Sequence, residues 1–481
     1  MLTLINSNTM TPPIAPVGLD YIAGAAVSAK IDISILDLCL EADPDNAVKA
    51  HLAAVDPKLI GISFRNVDDS FWPSARWFVP DLSQLIKKIR EICDCPVVIG
   101  GVGYSIFARR ILDYTGADFG IRGDGEQSIV ELYSQLQGAK QFSKVTGLLW
   151  RDNDKVITNP PAWPEKISLP TSRNFIDNKT YFNKGGQCGF ETKRGCDRKC
   201  IYCADPLAKG TSLRLRDPRE VADEIESLLA KGIDVLHTCD AEFNIPRNHA
   251  VSVCRELIRR GLGYKIQWYA YLAVLPFDAE LASVMRRAGC VGINFTSDAA
   301  SDKMLKTYRQ PQTKEHLANA VKLCRDNDLK VMTDLLLGGP GETINTLTDT
   351  IEFIKQIKPD CSGASLGVRI YPGTEMQNIA IKQRPLDSNP NILRKYEGPV
   401  DLFKPTFYIE QTLGPEPAAL VRDLIAGDKR FFEPMLDAES QSDSDSPVTD
   451  HNYNDNTELA NAIENGARGA YWDILHTLRS S

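Results

Sequence analysis

No stretch of the sequence stays apolar for the roughly 18 residues that a membrane-spanning helix needs. Its start, Met1 to Ile5, lacks the basic residues and small-residue cleavage site of a secretory signal, so a cytoplasmic protein is expected. Cysteine is sparse: twelve in 481 residues cannot make a disulfide scaffold, and in a reducing compartment a tight group of them reads as metal binding or catalysis. Neither sign of charge dominates. The 55 Lys and Arg stand against 63 Asp and Glu, a net −8 that argues against broad binding to nucleic acid or an anionic membrane, although a local basic groove remains open. What is present is ordinary globular material, 43% hydrophobic and 25% charged, in a chain about three times the ~150 residues typical of one domain.

The first part alternates short apolar runs with helical stretches. Leu2 to Asn6, Ile33 to Leu38, Leu59 to Phe64, Val97 to Gly101 and Asp118 to Arg122 read as strands, which predicts a doubly wound parallel α/β sheet over residues 1–137. Such sheets hold ligands beyond the carboxyl ends of their strands. Those ends carry Ser7-Asn8-Thr9, Ser63 to Asn66, Gly100 to Gly103 and Arg122-Gly123-Asp124-Gly125-Glu126. Residues 138–184, with Asn159 to Pro164, suit an extended connector. From 185 to 375 the rhythm returns, with strands expected at Val235 to Cys239, Ile266 to Ala270, Val291 to Thr296, Lys330 to Leu337 and Ser365 to Ile370. This is a second parallel sheet, open or closed into a partial barrel. Residues 376–481 should form a small, mostly helical region with a solvated, disordered acidic segment near 438–457 and a last helix over about 458–479.

The sharpest signal is Cys196-Asp-Arg-Lys-Cys200-Ile-Tyr-Cys203, a C-x3-C-x2-C loop. Three thiolates cannot close a tetrahedral zinc site alone, whereas iron–sulfur clusters are held by cysteines at such spacing, here leaving one of four irons free. The adjacent Arg194, Arg198 and Lys199 are expected to lower the thiol pKa values. A zinc site is the alternative.

At this point the chain resembles the radical S-adenosylmethionine (SAM) superfamily, whose three-cysteine loop binds a [4Fe–4S] cluster with SAM on the unique iron. The resemblance implies that Cys196, Cys200 and Cys203 are the metal ligands. It gives Tyr202 an adenine contact and Asp240 or Glu242, in Cys239-Asp240-Ala241-Glu242, the methionyl amine. Asn294 and Ser297, in Asn294 to Asp298, would meet the ribose, and Gly338 and Gly339, in Leu335 to Thr343, the adenine. Asp240-Ala-Glu242 departs from the commoner Gly-Gly-Glu, and Ser297 stands where glutamate is frequent.

With the sheet that precedes it, the chain resembles the cobalamin-dependent radical SAM enzymes (class B radical SAM methylases), and among them the tryptophan 2-C-methyltransferase-like members. The likeness covers about residues 1 to 375, including Pro12 to Leu19, Gly100 to Ser105 and Ala117 to Glu126. It implies a flavodoxin-like (Rossmann-type) cobalamin-binding domain, with Asn66, Gly101 and Gly103 near the cofactor, ahead of a partial (β/α)6 barrel. None of the six histidines lies in the first-strand loop, so cobalamin is expected without a histidine lower ligand. The activity implied is methylation of an unactivated carbon, or of phosphorus, on a small molecule or peptide. Reductive cleavage of SAM would start it, with electrons from a donor such as flavodoxin or ferredoxin. A non-methylating rearrangement, cyclisation or oxidation, and a non-catalytic cobalamin or redox sensor, are the competing readings. No residue stands out as catalytic acid or base.

Other residues carry weaker signals. Arg214 and Arg216 are expected to be solvated or to orient an anion, and Arg65 to reach corrin amides. Gln267 to Tyr271 could form an aromatic wall or core. Cys239, Cys254, Cys290, Cys324 and Cys361 read as buried small hydrophobes, and Cys188 as exposed near the site.

Overall fold

The computed structural model describes residues 1–436, apart from 154, 162 and 165, and residues 452–480. Most of the acidic segment, 438–451, lies outside the described residues.

Strands Leu2–Asn6, Ile33–Asp37, Leu59–Ser63, Val97–Gly100 and Phe119–Ile121 form a parallel sheet. Their spatial order is second, first, third, fourth, fifth. The inner strands of this sheet are mostly apolar and buried, as in Leu2–Asn6, because helices cover both faces, while the edge strand Ile33–Asp37 is largely half-buried. The winding reverses between the first and third strands, and their diverging carboxyl-end loops open a crevice. The expected connector is partly sheet. Leu148–Asp152 and Lys155–Thr158 extend the same sheet as an antiparallel hairpin, with Leu148 and Leu149 buried. Its proline-rich exit had hidden the alternation.

The second sheet runs in chain order: Cys188–Phe190, Val235–Thr238, Gln267–Leu272, Cys290–Asp298, Lys330–Leu337 and Cys361–Leu366, all parallel. Sequential winding curls it into an open barrel, whose lumen faces the strand carboxyl ends. The last long strand lies earlier than its sequence suggested. Cys361 to Ser365 are small residues of low strand propensity, and Gly367, at φ +99°, breaks the chain before Val368–Arg369 enters a separate three-stranded sheet. A short strand, Phe431–Phe432, adds to the edge and was not anticipated.

The expected last helix is two, Thr457–Glu464 and Tyr471–Ser480, separated by Gly466 and Gly469 at positive φ. The second blocks the amino-terminal end of the lumen. Tyr269 donates its hydroxyl to Asp473 (2.7 Å), Lys330 binds the same carboxylate, and the Cys361 thiol meets the Trp472 carbonyl. The small residues of Cys361–Leu366 leave room for that helix.

The sheets are joined by a buried ionic cluster. Arg173 binds Asp20 (2.6 Å) from the helix Val17–Ser28 and Glu224 (2.7 Å) from the helix Pro218–Leu229. Arg216 also binds Glu224, and Tyr21 donates its hydroxyl to it at 2.7 Å. Arg173, Arg194 and Arg216 surround the Tyr21 ring at 5.6 to 6.0 Å. Arg214 and Arg216 are therefore fully buried structural cations rather than solvated ones, with the Arg216 Nε and Nη2 left without a partner.

Candidate active site

The cysteine loop follows Lys193–Arg194, which pairs antiparallel with Arg214–Leu215. At Gly195 (φ +84°) a Cβ would collide with the Ser212 carbonyl, so glycine alone admits the turn. The Cys196 N–H donates to the Gly210 carbonyl at 3.2 Å. Ile201, between the other two cysteines, is held by the Tyr308 carbonyl on its N–H and the Met376 N–H on its carbonyl. Cys196 is buried; Cys200 and Cys203 are half-buried.

The basic neighbours do not activate these thiols. Burial pushes all three upward, Cys200 to about 12 with help from the Asp298 charge. Arg194 is engaged by Glu126 and Glu191, and the Arg198 side chain donates to the Leu275 carbonyl. Thiols this desolvated become thiolates only when a cation takes them, which suits metal ligands rather than free nucleophiles. Among the described residues no three His, Cys, Asp or Glu side chains converge on one ion position. Three cysteine thiols on one short loop are the donor set of an iron–sulfur cluster.

The two carboxylates of Asp240-Ala-Glu242 separate cleanly. Asp240 accepts the Thr192 N–H (2.8 Å), the Lys193 N–H (3.2 Å) and the Thr192 hydroxyl, so it fixes the strand leading to the cysteine loop. Glu242 accepts only the Thr296 hydroxyl (2.7 Å) on Oε1, and its buried Oε2 has no partner. Burial pushes Glu242 up to about 8. An orphaned carboxylate oxygen close enough for its charge to reach Cys196 and Cys200 is a receptor for a cationic ligand.

Around the lumen the other expected residues divide. Asn294 donates to Asp334 at 2.7 Å while its own Oδ1 is buried and unpartnered. Ser297 instead donates to the Asp334 carbonyl at 2.8 Å, tying adjacent strands together. Tyr202 donates to Asp298 at 2.7 Å and packs edge-on to Tyr308 at 5.8 Å. Gln310 donates to Asp298 and lies 3.2 Å from the Cys200 sulfur. Gly338 (φ +86°) donates its N–H to Glu342, and Gly339 lies against the Tyr308 hydroxyl. Sequence reasoning passed over Asp334 and Gln310. The signal for Asp334 was available: an acid inside the apolar strand Lys330–Leu337.

On the first sheet, a cleft of about 200 Å³ opens where the winding reverses, lined by Ser7 to Met10, Phe64, Arg65 and Asn66 among others. No histidine lines it. The Asn8 amide nitrogen is buried without a partner, and the Asn66 amide meets only the Met10 sulfur (3.7 Å), so neutral donors are left for a bulky polar ligand. Gly101 (φ +106°) and Gly103 serve the protein itself, since a Cβ there would strike the backbone of Phe64 to Asn66. His51 is half-buried on the Ser34 hydroxyl (3.1 Å).

Between the sheets, Cys239 is exposed to the lumen rather than packed, while Cys188 is buried on the Asn178 carbonyl. Cys254, Cys290, Cys324 and Cys361 are buried as expected. His237 and Tyr271 lie 5.1 Å apart as an aromatic wall, whereas Trp268 and Tyr269 are core. The Arg65 charge reaches Tyr271 and Cys239 from the first sheet.

Comparison with known proteins agrees with this geometry. Residues 5–133 match the B12 binding domain and residues 190–354 the radical SAM superfamily. The chain is 27% identical to tryptophan 2-C-methyltransferase of Streptomyces laurentii, over 98% of this chain and 95% of that one. It superimposes with a TM-score of 0.91 on the radical SAM methyltransferase TsrM of Kitasatospora setae bound to tryptophan and the SAM analogue aza-SAM. The two are 28% identical, and the match covers 100% of this chain and 98% of the other. The TM-score is 0.88, at 26% identity and 100% and 97% coverage, for TsrM with cobalamin and a [4Fe–4S] cluster bound. A B12 binding domain joined to a radical SAM domain, alike in sequence and shape to these proteins from end to end, makes the chain a cobalamin-dependent radical SAM enzyme of the methyltransferase kind.

Proposed function

We propose that this enzyme methylates a ring carbon of a small aromatic substrate, tryptophan or an indole close to it. The observation that carries the reading is the end-to-end likeness to the tryptophan-bound TsrM structure, at a TM-score of 0.91. The lumen supports it with the His237–Tyr271 wall for a flat ring and the unpartnered Asn294 Oδ1 for a donor group.

Cys196, Cys200 and Cys203 would hold the cluster, Glu242 would receive the cationic amino group of SAM, and Tyr202, Asn294 and the Gly338-Gly339 turn would line the place for the rest of it. Asn66 and Arg65, which line the first-sheet crevice, would meet the corrin periphery. When bound, these cofactors supply the methyl group and the means of moving it. The chain's own part is to keep the lumen dry and to hold the donor and the ring carbon in line. Replacing a ring hydrogen by methyl releases a proton. His237 is placed to take it. Its Nδ1 lies 2.7 Å from the Thr238 carbonyl, which can only accept, so Nδ1 carries the hydrogen and Nε2 keeps a lone pair. Burial also lowers its pKa, which keeps the ring neutral. An electron carrier such as a flavodoxin or ferredoxin reduces the cluster, and a cytoplasmic setting suits twelve unpaired cysteines.

The test is anaerobic incubation of the cluster- and cobalamin-loaded enzyme with SAM and tryptophan, followed by mass spectrometry. Methyltryptophan together with S-adenosylhomocysteine is expected. Failure to methylate tryptophan or any simple indole would overturn the substrate assignment.

A further inference from the structure

The run Arg122-Gly123-Asp124-Gly125-Glu126 leaves the carboxyl end of a first-sheet strand, where a cofactor contact would be looked for. Its charged side chains are turned to the other domain. Glu126 takes Arg194 in a bidentate pair, Oε1 to Nη2 at 2.7 Å and Oε2 to Nη1 at 3.0 Å. Asp124 takes Arg214 in the same manner, at 3.0 and 3.2 Å, and lies 3.3 Å from Arg194 as well. Arg122 donates to the Leu207 carbonyl at 2.9 Å. Arg194 is two residues before Cys196. Arg214 lies on the strand paired with it and donates to the carbonyls of Lys209 and Ser212, while Leu207 lies in the short helix after Cys203. Three side chains of one loop thus grip the entry to the cysteine loop, the strand paired with that entry, and its exit.

Forked ion pairs fix both distance and orientation, and these are largely shielded from water, with Arg194 11% and Arg214 0% exposed. Such pairs also set the local field, because partly desolvated charges are weakly screened. We propose that Asp124 and Glu126 are positioning residues for the reaction. They hold the cysteine loop at a fixed place against the B12 binding domain, and they balance Arg194 and Arg214 beside the cluster. The proposal rests on the function proposed above only in requiring both cofactors to be bound. Its main readout needs no substrate, so failure to methylate tryptophan leaves it standing.

The experiment is a redox titration of the reconstituted cluster in wild type, Glu126→Gln and Glu126→Asp, with single-turnover methyl transfer from SAM to cobalamin measured alongside. Losing the carboxylate leaves Arg194 less balanced, so the midpoint potential of Glu126→Gln should move upward. The transfer rate per cluster should fall on the order of ten- to a hundred-fold, as for a misplaced reacting pair, while SAM affinity holds. Glu126→Asp, which keeps the anion, should recover most of the potential. An unchanged potential and rate in Glu126→Gln, with only a lower melting temperature, would reduce the loop to a structural tie and overturn the proposal. Should Glu126→Gln fail to fold, Asp124→Asn leaves the Glu126–Arg194 pair intact and is read the same way. A smaller upward move supports the proposal, and none overturns it.

Discussion

The two cofactor regions of this chain are built by opposite means. The crevice on the first sheet arises from a reversal of winding, and beside Arg65, Asp81 and the Lys88–Asp45 pair it offers the neutral amides of Asn8 and Asn66. The barrel lumen arises from sequential winding, and carboxylates converge on it: Glu242, Asp298 and Asp334, with Glu342 at its strand ends. The contrast follows the ligands. A corrin ring is bordered by neutral amides, whereas the sulfonium and amino group of SAM carry positive charge that buried carboxylates can meet. The first region could receive its ligand by shape; the second is electrostatically incomplete until filled.

Removing one region while sparing the other is the severest trial of that contrast. Replacing Cys196, Cys200 or Cys203 by Ala should abolish the brown cluster chromophore and all turnover. Cobalamin should still bind, because the crevice is lined by residues of the first sheet and its flanking helices. Iron and cobalamin assays on one preparation decide it: if cobalamin disappears together with iron, the two regions are not separable.

A second trial acts on the join. Arg173 neutralises Asp20 and Glu224 where all three are fully buried. Arg173→Met should strand Asp20, which keeps only neutral donors while Glu224 keeps Arg216, and cost roughly 3–5 kcal/mol. The loss is read as a lower denaturation midpoint, with the two halves no longer unfolding together. A single transition at the wild-type midpoint would show that the sheets are held by apolar packing instead.

How much of this was legible depends on where the partners lie in the chain. The cysteine loop could be read because its chemistry is contained in its spacing. Both parallel sheets could be read because apolar runs and helices alternate locally. The Asp124 and Glu126 contacts could not, since Arg194 and Arg214 stand 68 and 90 residues away and nothing local pairs them. Arg214 and Arg216 looked solvated for the same reason. The thiol pKa shifts were misjudged in sign because proximity in sequence was taken for proximity of charge, whereas Arg194 points to Glu126 and burial dominates. The strand Cys361–Leu366 was misplaced because its residues are small to admit the carboxyl-terminal helix, a contact 111 residues distant.

The mildest trial asks whether the lumen side is charge-strained when empty. Glu342 accepts the Gly338 N–H on Oε2, its Oε1 has no partner, and burial pushes its pKa up to about 7. A carboxyl raised above its ordinary value of 4.5 favours the folded state when protonated. Its contribution is present below the ordinary value and is lost as pH rises toward 7, at up to about 1.4 kcal/mol per pH unit. Glu342→Gln keeps an uncharged side chain of the same shape. Without cofactors, the variant should match wild type near pH 4.5 and exceed it near pH 8 in denaturant titrations. His237 and His249, whose pKa values burial lowers, act in the opposite sense in both proteins and cancel in the difference. Parallel stability curves for the two proteins would show that Glu342 is charged at no cost, and that this strand end carries no strain when empty.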